Sequence, residues 1–157
     1  MQLFESAGVP CIREPMGISL TDEKRPDGAT LVPWKSGQSL LWDATVSDTF
    51  AASYLAQTSK SAGSAAKQGE TKKLRKYQSL LNQYCFVPIA METGGIYGKD
   101  GLRFVKEIGR RITLNTGEER ATSFLLQRLS IAIQRGNGIF ILGTMPNGQD
   151  LYELDFV

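Results

Sequence analysis

The chain contains no histidine and only two cysteines, Cys11 and Cys85. Because histidine is the base or ligand at the centre of catalytic triads, Cys–His nucleophiles and zinc hydrolases, its absence excludes these enzyme classes. Two cysteines are too few for a disulfide framework or a zinc site, so we expect both to be reduced thiols in the core. Any catalysis therefore has to use carboxylates, lysines and hydroxyls, with or without a hard metal ion.

The sequence also lacks an apolar run near the roughly 18 residues that a membrane-spanning helix needs. Its first residues do not have the pattern of a signal peptide, so we expect an intracellular protein that does not contact a membrane. A length of 157 residues with 22% charged residues suits one ordinary globular domain. We assign this domain to residues 1–143 and treat residues 144–157 as a C-terminal extension.

Positive charge is concentrated locally, although the net charge of the chain is only +2. The segment 60–76 carries six lysines and arginines against a single acid, Glu70, and the segment 103–111 has a similar excess over Glu107. Such an excess suits binding of a polyanion, while a solvated helix face is the commoner cause of any single basic cluster.

Two acidic residues flank a predicted β-hairpin. The segments 29–32 and 39–42 are apolar and β-leaning, and a turn signal at 33–38 separates them. Asp27 would start one strand and Asp43 would fall within the other. Carboxylates from neighbouring strands repel each other unless a cation lies between them or one is protonated. The pair therefore predicts a site for a hard divalent ion such as Mg²⁺, with two surface aspartates near turns as the alternative.

The other elements follow from periodicity and from helix-breaking residues. They are the end of a helix at 2–7, a short strand at 12–15, a loop around 59–66, a helix at about 65–84, a strand at 85–91, a helix ending near Thr116-Gly117 and a last helix broken by Gly136-Asn137-Gly138. The order is thus (α)βββαβ plus two C-terminal helices. A helical crossover joins parallel strands, so we predict an α/β fold with a mixed four-stranded sheet flanked by helices.

Three short motifs resemble a known family. Arg25-Pro26-Asp27, then Asp43, then Lys73-Leu74-Arg75-Lys76-Tyr77 resemble the Arg/Lys-Pro-Asp, Asp and Lys-x-x-Lys-Tyr motifs of restriction-like endonuclease domains. These domains lie C-terminal to the reverse transcriptase in non-LTR retrotransposon polyproteins and are similar to the wider PD-(D/E)xK nuclease fold. Segments 86–94 and 126–137 resemble stretches that follow reverse transcriptases in animal retroelements.

The resemblance implies a restriction-endonuclease-like fold that hydrolyses phosphodiester bonds of DNA with Mg²⁺ or Mn²⁺. Asp27 and Asp43 would hold the metal ion, and a lysine would complete the catalytic site. In the wider fold this lysine lies two residues past the second acid, a position that Thr45 occupies here. The retrotransposon variant takes the lysine from the following helix, so Lys73 or Lys76 becomes the candidate.

Further candidate residues surround this constellation. Glu14 is a candidate auxiliary metal ligand, and Glu92, which ends a strand beside two glycines, is a similar candidate. We expect Tyr77 to lie in the core, and Trp34 and Trp42 to be packing residues. The candidate nucleic-acid contacts are Arg25, Lys72, Lys73, Lys76, Arg128 and Arg135.

The implied partners are DNA and the rest of a retroelement polyprotein, including its reverse transcriptase, and the implied location is nuclear. Two other functions stay open on the sequence. One is a catalytically inactive nucleic-acid-binding module, and the other is an interaction domain of a polyprotein whose basic helices are merely solvated.

Overall fold

The computed structural model describes residues 2–18 and 24–143. The extension assigned to residues 144–157 lies outside them. In chain order the elements are α1 (Gln2–Ser6), β1 (Cys11–Arg13), β2 (Gly28–Lys35), β3 (Gln38–Ser47), α2 (Ala52–Thr58), α3 (Ser64–Lys76), a 3₁₀ turn (Gln78–Leu80), β4 (Cys85–Glu92), α4 (Lys99–Thr116) and α5 (Ala121–Gly143).

The strands of the described residues form one four-stranded sheet in the order β1-β2-β3-β4. The pairs β1–β2 and β2–β3 are antiparallel, whereas β3 and β4 run parallel and are joined by α2 and α3. The predicted mixed four-stranded sheet flanked by helices is therefore confirmed. Pro88 lies in the edge strand β4, where the loss of a backbone donor is tolerated.

Each face of the sheet packs against different helices, because successive side chains of a strand point to opposite sides. On one side Leu40 lies in an apolar cluster with Phe104 and Leu125, and we call this side the α4–α5 face. On the other side Leu41 packs with Tyr77 and Leu80, and we call this side the α3 face. Both leucines are fully buried, so β3 runs through the middle of the molecule.

The β2–β3 hairpin is tighter than the sequence predicted. Ser36 and Gly37 make the turn, with φ angles of 51° and 77°. Two positive φ angles in succession are typical of the type I′ turn, whose twist matches that of the flanking strands. Residues 33–35 therefore belong to β2, with irregular register around Pro33, instead of forming the predicted turn.

Three helix predictions were wrong. Between the predicted N-terminal helix and the predicted helix at about residue 65 the sequence indicated no helix, but α2 forms at Ala52–Thr58. None of its residues is buried, so it has no apolar periodicity from which it could have been predicted. The α3 helix ends at Lys76 instead of extending to residue 84, because Tyr77 leaves helical geometry at φ −101° and enters the core. The α5 helix continues through Gly136 and Gly138, where the Asn137 side chain donates a hydrogen bond to the carbonyl of Thr93.

Other predictions about single residues were right. Trp42 stacks on Phe4 with ring centroids 4.3 Å apart, and Trp34 packs at 5.8 Å against Phe104, so both tryptophans are packing residues. Neither cysteine forms a disulfide in the described structure; Cys11 is buried as predicted, whereas Cys85 is only half-buried. None of the helices in the described part of the chain combines the length and the hydrophobicity that a bilayer-spanning segment requires.

Candidate active site

Asp27 and Asp43 meet where the β2–β3 hairpin opens. The antiparallel register pairs Ala29 with Leu41 and ends with Gly28 opposite Trp42, and Asp27 and Asp43 are the next residues of the two segments beyond this last pair. The Asp27 carboxylate also accepts a hydrogen bond of 2.6 Å from the backbone N–H of Ala44, which ties it to the neighbouring strand.

A glycine next to Asp27 makes this close pairing possible. A Cβ atom at Gly28 would overlap the indole ring of Trp42, its partner across the ladder. Trp42 is itself held on the α4–α5 face by stacking on Phe4. Aromatic packing on one face therefore determines where the backbone of Asp27 lies on the other.

The α3 helix carries two lysines to Asp43, whose side chain is only 5% exposed. Lys73 Nζ lies 2.8 Å and Lys76 Nζ lies 3.9 Å from Asp43 Oδ2. The Lys73 contact has the distance of an ion pair but not the angles of a hydrogen bond. Asp43 Oδ2 is therefore a buried oxygen without a hydrogen-bond partner in the described structure.

Gly69 explains why α3 lies close enough for these contacts. A Cβ atom there would lie 3.1 Å from Ala90 Cβ and 3.2 Å from Thr45 Cγ2, so a larger residue would push the helix away from the sheet. Lys73 and Tyr77 follow at intervals of four residues and share one stripe of the helix. This stripe passes over Thr45, Asp43 and Leu41 of β3 in that order.

Tyr77 lies on the buried side of the site. It is fully buried, as the sequence predicted, and its hydroxyl donates a hydrogen bond of 2.8 Å to the carbonyl of Arg25. Burial raises the pKa of Tyr77 well above its ordinary value, and the Asp43 and Asp27 carboxylates raise it further. Tyr77 is thus a neutral phenol that anchors the segment leading to Asp27, and it is not a candidate base.

Two buried glutamates hold α3 in place. The Glu92 carboxylate accepts hydrogen bonds from the backbone N–H groups of Ala65 and Ala66 at 2.8 and 3.2 Å, in the first turn of α3. Glu70 likewise accepts bonds of 2.9 Å from the N–H groups of Asp100 and Gly101 in the first turn of α4. A carboxylate is favourable there because the N-terminal N–H groups lack partners and the helix dipole is positive.

The sequence did not predict these two capping roles of Glu92 and Glu70. Glu92 is fully buried, its Oε1 accepts both bonds from α3, and its Oε2 has no hydrogen-bond partner among the described residues, so its role as an auxiliary metal ligand stays a prediction. Burial also raises the pKa of Glu70, while its backbone hydrogen bonds act in the opposite direction. A capping residue next to a helix in sequence leaves a recognisable pattern. A capping residue supplied by a distant element leaves none.

Glu14 lies beside Asp27 through the backbone. Its N–H donates a hydrogen bond of 3.0 Å to the Asp27 carbonyl, and its φ angle of 42° is in the left-handed region. Such a conformation costs a non-glycine residue of the order of 1–3 kcal/mol, so the surrounding contacts have to maintain it. The described residues contain no group of three or more Asp, Glu, His or Cys side chains, so the exposed carboxylate of Glu14 does not join the two aspartates.

Among the described residues, the other basic candidates form no ion pair with Asp43. The carbonyl of Arg25 bonds Tyr77, and its guanidinium contacts Met16 Sδ at 3.8 Å. Lys72 lies on α3 and donates a hydrogen bond to Tyr54 of α2. Arg128 and Arg135 are exposed on α5, which packs on α4 at the opposite face of the sheet, so the structure does not bring them to the aspartates.

No family model matches this chain, and no curated protein or solved structure matches it either. What the site can do therefore rests on its own geometry. Two carboxylates lie at the open end of a hairpin, where one is bonded to the backbone of Ala44 and the other has two ammonium groups within 4 Å. The arrangement can hold a cation between the aspartates and an anion beside the lysines.

Proposed function

We propose that this chain is a metal-dependent DNA endonuclease domain of a retroelement, with a restriction-endonuclease-like fold, which hydrolyses phosphodiester bonds. The observation that carries the proposal is that Asp27, which is hydrogen-bonded to Ala44, and Asp43, which is ion-paired with Lys73, both lie just beyond the last β2–β3 pair. Opposite charges arranged in this way suit a reaction in which both a metal ion and a phosphate have to be held.

The donor set fits Mg²⁺ or Mn²⁺. Asp43 Oδ2 is buried and has the Lys73 ammonium at 2.8 Å without a hydrogen bond, so a metal ion would share this oxygen with the lysine, and Asp27 supplies a second carboxylate. Two carboxylates suffice, because Mg²⁺ keeps several of its waters when it binds to proteins. When bound, the ion would supply an acidified water and neutralise charge on the scissile phosphate.

The two lysines suit different tasks. The Lys73 side chain is 21% exposed and reaches Asp43 from the helix, while Thr45, the usual lysine position, faces Gly69 across the helix–sheet contact. A lysine at residue 45 would meet α3, so the helix is the route by which an ammonium group reaches this site. Lys76 is 49% exposed and further from Asp43, which suits contact with a phosphate.

The proposed partners follow from the same assignment. They are DNA and the rest of a retroelement polyprotein with its reverse transcriptase, and the proposed location is the nucleus. Arg25 and Lys72 would add phosphate contacts on the same side as the aspartates, whereas Arg128 and Arg135 would act only on a second surface at α5. Contacts to phosphates position DNA without reading its sequence, so we expect cleavage with little sequence preference.

The experiment is a nicking assay on supercoiled plasmid with Mg²⁺ or Mn²⁺. We expect Asp27→Asn and Asp43→Asn each to abolish metal-dependent nicking, because each keeps the side-chain shape but removes a ligand charge. DNA affinity, measured by fluorescence anisotropy, should persist in both variants. Asp100→Asn on α4 is the matched control, and it should nick like the wild type.

The same assay distinguishes the roles of Lys73 and Lys76. We expect Lys73→Ala to abolish cleavage while a fluorescence titration with Mn²⁺ still detects metal binding. Lys76→Ala should mainly weaken DNA binding. If the wild-type chain nicks neither supercoiled, branched nor single-stranded DNA with either metal, the nuclease proposal fails.

A second candidate function is a catalytically inactive nucleic-acid-binding or interaction domain of a retroelement polyprotein. The observation that favours it is the 2.8 Å contact between Lys73 and Asp43, which gives the buried carboxylate an internal counter-ion. On this proposal EDTA leaves DNA binding unchanged, and Asp43→Asn removes no activity because there is none to remove.

A further inference from the structure

A cleft of about 510 Å³ opens between α2 and α3, and its position on α3 differs from that of the Asp43 site. Its volume lies in the range of small-molecule sites. Lys67, Lys72 and Arg75 contribute its charge, and none of the described residues that line it is acidic. A concave surface whose charged side chains are all positive differs from an ordinary solvated helix face, which is convex.

The cationic side chains have little internal compensation. Within the described part of the chain, Lys67 and Arg75 have no carboxylate at ion-pair distance, and Lys72 bonds only a neutral group, the Tyr54 hydroxyl, at 3.0 Å. Lys72 and Arg75 are three residues apart on the helix, a spacing at which like charges destabilise. An anion between them would remove this repulsion.

Neutral hydrogen-bonding groups line the same cleft. Ser64 belongs to its wall, and its hydroxyl oxygen is buried without a hydrogen-bond partner in the part of the chain that the structure describes. Gln68 donates a hydrogen bond to Gln57, which joins the α3 side of the cleft to the α2 side. The N–H groups of Ala65 and Ala66 are bonded to Glu92, so side chains, and not the helix terminus, provide the donors.

The α2 helix depends on this polar surface. None of its residues is buried, and Tyr54 and Gln57 connect it to α3 through side-chain hydrogen bonds. Without an apolar face, a seven-residue helix gains little from packing or from its own hydrogen bonds. A ligand that bridges α2 and α3 would therefore order this part of the fold.

We propose that the α2–α3 cleft binds a phosphoryl anion between Lys67, Lys72 and Arg75. The site goes beyond the proposed nuclease reaction: it shares Lys72 with the proposed DNA contacts, but it contains neither aspartate, and anion binding there does not depend on cleavage. The anion is either free phosphate or the phosphodiester group of a nucleic acid strand. Lys72 and Lys76 are one turn apart on α3, so a strand held in the cleft would also pass the rim of the Asp43 site.

The test is a titration of the ¹⁵N-labelled chain with inorganic phosphate, pyrophosphate and an eight-nucleotide oligothymidylate, followed by amide chemical shifts. The cleft variant carries Lys67→Gln, Lys72→Gln and Arg75→Gln. The control variant carries Lys35→Gln, Lys99→Gln and Lys106→Gln, which remove the same charge from exposed positions elsewhere. Circular dichroism checks that both variants fold.

We expect saturable shifts at residues 57–75 for the wild type and the control. The cleft variant should bind more than about tenfold more weakly, since removing one charge-assisted hydrogen bond already costs around that factor. Asp43→Asn should leave these shifts unchanged, which separates failure of the cleft from failure of the nuclease site.

The three ligands identify the source of the anion. Binding of phosphate or pyrophosphate in the cleft, without the oligonucleotide, supports the site with a free anion as ligand. Oligonucleotide binding that the cleft variant loses supports the site with a nucleic acid backbone as ligand. An equal loss in both triple variants, shifts confined to other residues, or no binding of any of the three ligands would overturn the proposal.

Discussion

On the α4–α5 face, β3 presents Leu40 to a cluster of apolar side chains, including Phe104 and Leu125. On the α3 face, the same strand presents Leu41 and Asp43. There Leu41 packs against the buried Tyr77, and Asp43 forms an ion pair with Lys73 of α3. Burial of apolar surface is non-directional and stabilises whatever its arrangement. A buried charge is tolerated only when its partner is correctly placed.

The difference between the faces separates stability from chemistry. The α4–α5 face provides the free energy that holds the fold together, because aromatic and aliphatic side chains dominate it. The α3 face contributes less free energy from apolar burial, because Asp43 and its lysines occupy part of it. Polar groups held by the packing of the opposite face are the arrangement that a functional site requires. Mutations that compare the two faces test this division.

The largest expected effect is on the α4–α5 face. Phe104 is 7% exposed and contacts Phe4 and Trp34, so Phe104→Ala removes a large apolar side chain and leaves a cavity. We expect the free energy of unfolding to fall by about 3–5 kcal/mol, measured by urea denaturation. Leu114→Ala, at a 70% exposed position of the same helix, is the control and should change it by less than about 0.5 kcal/mol. Similar losses from both variants would contradict the assignment of the core to this face.

A smaller effect is expected on the α3 face. Lys73→Met keeps the length of the side chain but leaves the Asp43 carboxylate buried without its nearest cation. We expect a loss of about 1–3 kcal/mol in the free energy of unfolding, between the values typical of exposed and of buried pairs. Lys76→Met, at a side chain that is 49% exposed, should cost less than about 1 kcal/mol.

A double-mutant cycle checks the cause of that loss. If the cost of Lys73→Met is the unpaired carboxylate, adding Asp43→Asn should make the lysine substitution nearly neutral. A cost of Lys73→Met that is the same with Asp43 and with Asn at this position would show that the lysine contributes packing and not charge.

The smallest effect is expected at the surface of α4. Hydrogen bonds from Arg110 and Arg111 to Glu107 lower the pKa of its carboxyl to about 2, from an ordinary value of 4.5. Because the folded-state pKa is depressed, the stabilisation is present above the unfolded pKa and is lost as the pH falls from about 4.5 towards 2. Solvent screens this partly exposed pair, so the gain should stay below about 1 kcal/mol.

Glu107→Gln measures this contribution. Its urea midpoint should lie below that of the wild type at pH 7, and the two midpoints should converge near pH 2. Added salt at pH 7 should narrow the gap, because it screens surface charge. A gap that is the same at every pH and salt concentration would assign Glu107 a packing role.

Much of the sheet could be predicted because its signals are local. Short segments carry these signals: β3 and β4 are apolar runs, and α4 ends at Gly117, a glycine in the left-handed conformation. The helix errors came from elements whose ends or existence depend on distant contacts. Tyr77 ends α3 by entering the core, Asn137 bonds a turn after β4, and α2 has no buried face at all.

The sequence by itself determined which groups are available for chemistry. Without histidine, they are carboxylates, lysines and hydroxyls, and the alternation along β3 determined that Leu41 and Asp43 share one face. The tertiary structure decided which of these groups meet. Gly69 sets the height of α3 above the sheet, and Glu92 caps its first turn. The physical reason is that a packed interface fixes side-chain separations to a few tenths of an ångström, whereas spacing along the chain constrains only the face on which a residue lies.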